Sequence, residues 1–162
     1  MKLLLTLDEH NYTPDMTVYE KYSTRAVIIR KGRIATQHGA AGDYKILGGG
    51  VEPGEDLHAA LIREVQEETG LTIQDPILCG VKQFPREDGA RYVVLLFRAT
   101  RFTGTLTSSS EGKMLWLTRE ELKGRHLTSD FLEMLRVFEN PTLSEFYYYQ
   151  APGSEEWRHS LL

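Results

Sequence analysis

Glu64, Glu67 and Glu68 stand in the run REVQEETG, residues 63–70. Spacings of three and four put all three carboxylates on adjoining parts of one helical face. Leu57, Ala60, Leu61, Ile62 and Val65 recur at helical spacing up to a break at Gly70, so the acids sit on the last turns of an amphipathic helix. Like charges so placed repel by roughly 0.2–0.5 kcal/mol per pair, and the helix dipole disfavours anions at that end. A divalent cation reverses the balance: hard carboxylate oxygens suit Mg²⁺, which keeps waters and touches substrate phosphates. A solvated acidic face is the other reading. It leaves the residues ahead of the helix unexplained.

Those residues are Gly48, Gly49 and Gly50, delivered by a short strand, Tyr44 to Leu47, that holds the turn at the end of a sheet. Without Cβ atoms the backbone there turns tightly or approaches a ligand closely. Pro53 and Gly54 mark a second bend, and Glu55 or Asp56 caps the helix that follows. Glu52, Glu55 and Asp56 also place acid where the helix dipole favours it.

Gly49, five residues, Glu55, seven residues, then Arg63-Glu64-Val65-Gln66-Glu67-Glu68-Thr69-Gly70-Leu71 resembles the complete Nudix box. Its fixed identities coincide by chance roughly once in 10⁸ starting points. The resemblance implies that Glu64, Glu67 and Glu68 bind Mg²⁺ or Mn²⁺, with the Gly48 carbonyl as a further ligand. It also implies that Glu55 and Arg63 brace the loop against the helix, and that Gly49 and Gly70 are structural. Many members carry another acid on a loop shortly before a tryptophan-bearing strand. Here Glu111 precedes Met114-Leu115-Trp116-Leu117 and is the candidate for a further metal ligand or the base that orients water. Glu87 or Asp88 are alternatives, Glu120 or Glu121 weaker ones. The catalytic set on this reading is Arg63, Glu64, Glu67, Glu68 and Glu111.

The implied reaction is metal-dependent hydrolysis of a nucleoside diphosphate linked to another group. The stretches GVKQFPREDGARYVVLLF and SSSEGKMLWL are similar to MutT-like members, which points to nucleoside triphosphates, oxidised ones included, cleaved to monophosphate and pyrophosphate. ADP-ribose, nucleotide sugars and dinucleoside polyphosphates are the alternatives within the class. A catalytically silent nucleotide-binding or regulatory protein is the alternative outside it, and its mark would be a lost box glutamate. Arg25 is the candidate phosphate contact, since arginine holds phosphate oxygens bidentately. Lys82, Phe84 and Tyr92 are brought together if the strands at 78–84 and 91–100 pair. They then serve either as a phosphate contact with base stacking, or as cross-strand packing.

The rest of the chain must position these groups. Leu3 to Leu7 reads as a strand. TRAVIIR, residues 24–30, is a strand turned by Lys31-Gly32 into RIATQH. Residues 73–77 read as a connection, 78–84 as a strand, 85–89 as a hairpin loop and YVVLLFRAT as the central strand. Residues 102–110 read as a polar loop. Thr118 and Glu121 form a capping box for a short helix ending at Gly124. A last helix from Thr128 or Ser129 packs through Phe131, Leu132, Leu135 and Phe138 and stops at Asn140-Pro141. The aromatic run 144–150 either folds back over the sheet or makes a subunit contact, and 152–162 reads as frayed apart from Trp157.

These elements match a Nudix fold: an α/β/α sandwich with a curved mixed β-sheet, the box helix on one face and the last helix on the other. One domain is expected over residues 1–150, its core at about 20–140, with a tail at 151–162. With 162 residues and 41% hydrophobic side chains the chain has enough to build a core. A formal charge of −4 gives no general nucleic-acid surface. Cys79 is the only cysteine, which excludes an intrachain disulfide and favours a reducing cytoplasm. The apolar start Met1–Leu5 ends too soon for a signal peptide, and no stretch approaches the roughly 20 apolar residues of a membrane helix. The expected partner is a small-molecule nucleotide, with no nucleic acid and no membrane. A homodimer and a monomer fit equally.

Overall fold

The computed structural model describes residues 20–86 and 91–162. The strand read at Leu3–Leu7 and the acids Glu87 and Asp88 lie outside the described residues. β1 (Glu20–Arg30) and β2 (Arg33–Gly39) form a hairpin across Lys31 and Gly32, whose φ angles of 49° and 73° suit a two-residue turn with the twist of the flanking strands. The two strands pair only near that turn, Ile29 with Ile34 and Arg30 with Arg33. Beyond it β2 parts from β1 and takes β3 (Tyr44–Lys45) and β8 (Gly112–Leu117) as antiparallel neighbours.

That divergence makes room for the glycine turn. Thr24 N–H donates to the Gly49 carbonyl at 2.9 Å, Ala26 N–H to Leu47 at 3.0 Å, and Val51 N–H to Tyr22 at 3.2 Å. The turn is therefore laced to the middle of a strand rather than hung from a loop. β1 is itself held by a nine-residue parallel ladder with β6 (Arg91–Ala99), from Glu20↔Arg91 to Ile28↔Ala99. β6 pairs antiparallel with β5 (Ile77–Pro85), β5 pairs parallel with β9 (Glu145–Gln150), and β9 pairs antiparallel with β10 (Trp157–Leu161). YVVLLFRAT is central, as its apolar run requires.

The alternation of side chains divides the core in two. Ala26, Ile28, Leu95 and Phe97 point to one face and pack on Leu61 and Val65 of α1 (Leu57–Thr69). Val27, Val94 and Leu96 point to the other and pack on Phe131, Leu135 and Phe138 of α3 (Phe131–Glu139). The short α2 (Arg119–Leu122) packs Leu122 into the α3-side core, with Thr118 and Glu121 exchanging both bonds of the capping box. The fold is the expected mixed α/β sandwich with one long helix on each face.

Four local expectations need correction. Residues 71–74 and 101–104 form β4 and β7, a separate antiparallel pair that takes 73–74 from the expected connection and 102–104 from the expected loop. Four-residue strands carry too little alternation to register; each exists because the other pairs with it. Leu132 is 54% exposed, and Met134 and Val137 take its place in the core. Leu132 sits a full 100° step beyond Phe131, outside the stripe. Residues 157–161, read as frayed apart from Trp157, are β10. The aromatic run before them folds into the sheet as β9, with Phe146 fully buried. Among the described residues no helix is long and apolar enough to cross a membrane.

Candidate active site

Asp56 starts α1: its carboxylate accepts from the His58 and Ala59 N–H groups, both at 2.9 Å. Gly70 ends it in the left-handed conformation, φ 72°, with its N–H on the Gln66 carbonyl. A Cβ at Gly70 would fall 2.6 Å from the Thr107 hydroxyl oxygen, so this glycine also lets the loop before β8 approach the helix end. Thr107 N–H donates to the Thr69 carbonyl at 2.8 Å there. The loop that carries Glu111 is thereby tied to the helix that carries the three glutamates.

Those glutamates differ in setting. Glu68 lies on the buried side of α1, 5% exposed, and accepts the Gly48 N–H at 2.7 Å. Burial pushes its carboxyl up to about 7, opposed by that N–H and by the Arg25 charge and reinforced by the charge of Glu111. Glu64 presses its carboxylate onto the glycine turn; a Cβ at Gly49 would come 2.2 Å from its Oε2. Glu67 stands out in solvent, 62% exposed. Arg63 ties the group together. Its Nε and Nη2 fork onto Glu55 at 3.0 and 2.9 Å, Nη2 also reaches the Gly50 carbonyl at 3.1 Å, and Nη1 donates to Glu64 at 2.9 Å and Glu67 at 3.3 Å. The Arg63 hydrogen bond holds the Glu55 carboxyl below its ordinary range. Among the described residues no three acidic or imidazole groups converge at metal-holding distance. Arg63 draws Glu64 and Glu67 one way while Glu68 turns back to Gly48.

The Gly48 carbonyl, expected as a metal ligand, accepts from the Arg25 guanidinium in a short contact. A carbonyl oxygen has two lone pairs, so one remains. Gly48 has φ 118°, and a Cβ there would strike the Thr24 carbonyl oxygen at 2.2 Å; only glycine serves. Glu111 is exposed in a turn before β8, its N–H on the Ser109 hydroxyl at 3.2 Å.

Arg25 also faces a cleft of about 390 Å³ on the α3 side of the sheet, and Lys82, Phe84 and Tyr92 line the same cleft. Phe84 and Tyr92 are cross-strand partners with stacked rings, centroids 5.1 Å apart. Lys82 is buried, pairs with Asp130 and lies over Phe84 at 5.2 Å. Lys45, Arg86 and Asp130 join them, and the residue reading missed all three. The last helix, expected to start at Thr128 or Ser129, begins at Phe131, and Asp130 stands at its cap position. Its side chain makes no capping bond and instead accepts from Lys82, Tyr148 and Ser129. Burial pushes the Asp130 carboxyl up, but the Lys82 and Tyr148 hydrogen bonds outweigh it and hold the group below its ordinary range. A larger cavity, about 720 Å³, lies between Arg119 and Leu135 and includes no residue of the glycine turn or α1. Cys79 is half-buried, and burial pushes its thiol up, which suits packing rather than attack.

The NUDIX domain family matches residues 18–140. The CTP pyrophosphohydrolase of Escherichia coli is 31% identical over 119 residues, covering 70% of this chain and 87% of that protein. The uncharacterized Nudix hydrolase YvcI of Bacillus subtilis is 39% identical over 74 residues, 43% of this chain and 47% of its own. The chain spans about half the length, or less, of several curated relatives that it matches. A crystal structure of a MutT protein from Bacillus halodurans has the same fold, with a TM-score of 0.70, 22% identity and coverage of 86% of this chain and 97% of that one. The box, the sandwich that holds it and these likenesses agree: the chain belongs to the Nudix hydrolase family.

Proposed function

We propose that this hydrolase is a metal-dependent pyrophosphohydrolase that cleaves a nucleoside diphosphate linked to another group, with a nucleoside triphosphate as the preferred substrate. The observation that carries this reading is the double position of Arg25. It lines the cleft with Lys45 and Arg86, and it bonds the glycine turn that rests on Glu64 and Glu68. A phosphate chain held by those cations would run toward the carboxylates. The similarity to a CTP pyrophosphohydrolase supports the same substrate class.

The donors suit Mg²⁺ or Mn²⁺: hard oxygens from Glu64, Glu67, Glu68 and the Gly48 carbonyl, with the Glu64 carboxylate seated against the Cβ-free Gly49. Such an ion, when bound, supplies charge neutralisation of phosphate oxygens and a more acidic water. The chain's own residues do the rest. Arg63 forks onto Glu55 and so fixes the loop against α1, while its Nη1 holds Glu64 and Glu67. Glu111, whose charge reaches Glu68, accepts a proton from the attacking water or orients it. Arg25 and Lys45 stabilise charge that builds on phosphate oxygens during in-line displacement. A nucleoside triphosphate would give a monophosphate and pyrophosphate.

The test is product release with Mg²⁺ or Mn²⁺ across nucleoside triphosphates, oxidised guanine nucleotides, ADP-ribose, nucleotide sugars and diadenosine polyphosphates, with Glu67→Gln alongside. A preferred triphosphate whose hydrolysis Glu67→Gln abolishes is the expected result. Activity untouched by that substitution, or none on any compound, overturns the reading.

A further inference from the structure

We infer that the C-terminal hairpin β9–β10 builds a separate subsite for the nucleobase, with Trp157 as its stacking residue and Tyr148 as a positioning residue. The inference rests on the nucleotide reading above. The family match ends at residue 140, and β9 begins at Glu145 and β10 at Trp157, so this wall lies outside the matched span.

A cavity of about 270 Å³ adjoins the cationic cleft and shares Lys82, Phe84 and Asp130 with it. Its remaining lining is Ser129, Tyr148 and Trp157. The two spaces differ in chemistry. Arg25, Lys45 and Arg86 line the first and suit phosphates; Phe84, Tyr148 and Trp157 line the second and suit a flat ring. Phe146 pairs with Lys82 across β5 and β9, and Tyr148, two residues on, shares its face of the sheet. Trp157 lines this cavity and is 48% exposed, so part of its ring surface is accessible to solvent.

Tyr148 acts through Asp130. Its hydroxyl donates to Asp130 Oδ1 at 2.5 Å, the Ser129 hydroxyl donates to the same oxygen at 3.1 Å, and Lys82 holds the other oxygen. An ionised carboxylate has about four acceptor positions, so three donors leave one for an N–H on the edge of a base. The hairpin thus supplies both a face and, indirectly, an edge for base recognition.

The experiment uses the full chain and two probes: the best substrate among ATP, CTP, GTP and UTP, and inorganic tripolyphosphate, which carries phosphates without a base. Trp157→Ala should raise KM for the nucleotide by about 5- to 100-fold while the tripolyphosphate inhibition constant stays within roughly twofold. Trp157→Phe should recover most of the loss. Tyr148→Phe should raise KM by more than it lowers kcat, again without weakening tripolyphosphate. Parallel weakening of both probes makes the hairpin merely structural and overturns the inference, as does an unchanged nucleotide KM. If wild type hydrolyses no nucleotide, the functional reading falls first and this one with it. If wild type is active and the variants match it, only this inference falls.

Discussion

Gly49 and Glu64 occupy one space between them, and that closeness sets the first expectation. A methyl group at position 49 would sit 2.2 Å from Glu64 Oε2, and Arg63 already holds that carboxylate from the other side. Gly49→Ala should therefore lower kcat by at least about 10-fold, because misplacing a catalytic group by an ångström costs on that scale. Gly48→Ala meets backbone instead of a movable side chain and adds strain at φ 118°. It should lower stability by about 1–3 kcal/mol, read from urea denaturation. Glu67→Gln keeps the exposed helix surface and removes only a charge, so kcat should fall by about 100-fold or more with an unchanged melting temperature. Asp130 carries a pH signature. Its folded-state carboxyl lies below its ordinary value, so its contribution to stability is complete above the unfolded pKa and is lost as pH falls through the folded one. The stability gap between wild type and Asp130→Asn should be widest near neutral pH and shrink below about pH 4.

At the scale of elements, the capping box that opens α2 is local and remote from α1, so Thr118→Ala should cost about 1 kcal/mol in denaturation and leave hydrolysis unchanged. Such local devices were also what the residues announced. The Lys31-Gly32 turn, the Asp56 cap, the Gly70 stop and the acidic face of α1 each write their geometry into neighbouring side chains. β4 and β7 do not, since each is a strand only against a segment some 30 residues away in the chain. β10 was unreadable for the same reason: WRHSL has no alternation of its own and is held by β9. The cleft was half legible. Lys82, Phe84 and Tyr92 stand out because a hairpin between their strands gathers them, and Arg25 because a guanidinium suits phosphate, whereas Asp130 and Tyr148 arrive from elements whose placement depends on the whole sheet.

For the molecule as a whole, the two faces of the sheet divide the labour. The α1 face carries the acids and the glycine turn; the α3 face carries the cations, the aromatic rings and the C-terminal hairpin. Arg25 crosses between them by reaching the Gly48 carbonyl. The connection also bears on how the chain reaches this state. The β1–β6 ladder joins residues about 70 positions apart, and closing so long a loop is slow and late. β1 is the strand to which the glycine turn is laced, so secondary structure in α1 can form early while the glycine turn waits for β6. Refolding from urea should then show helical ellipticity returning ahead of activity, with hydrolysis regained only in the phase that protects the β1 amides from exchange.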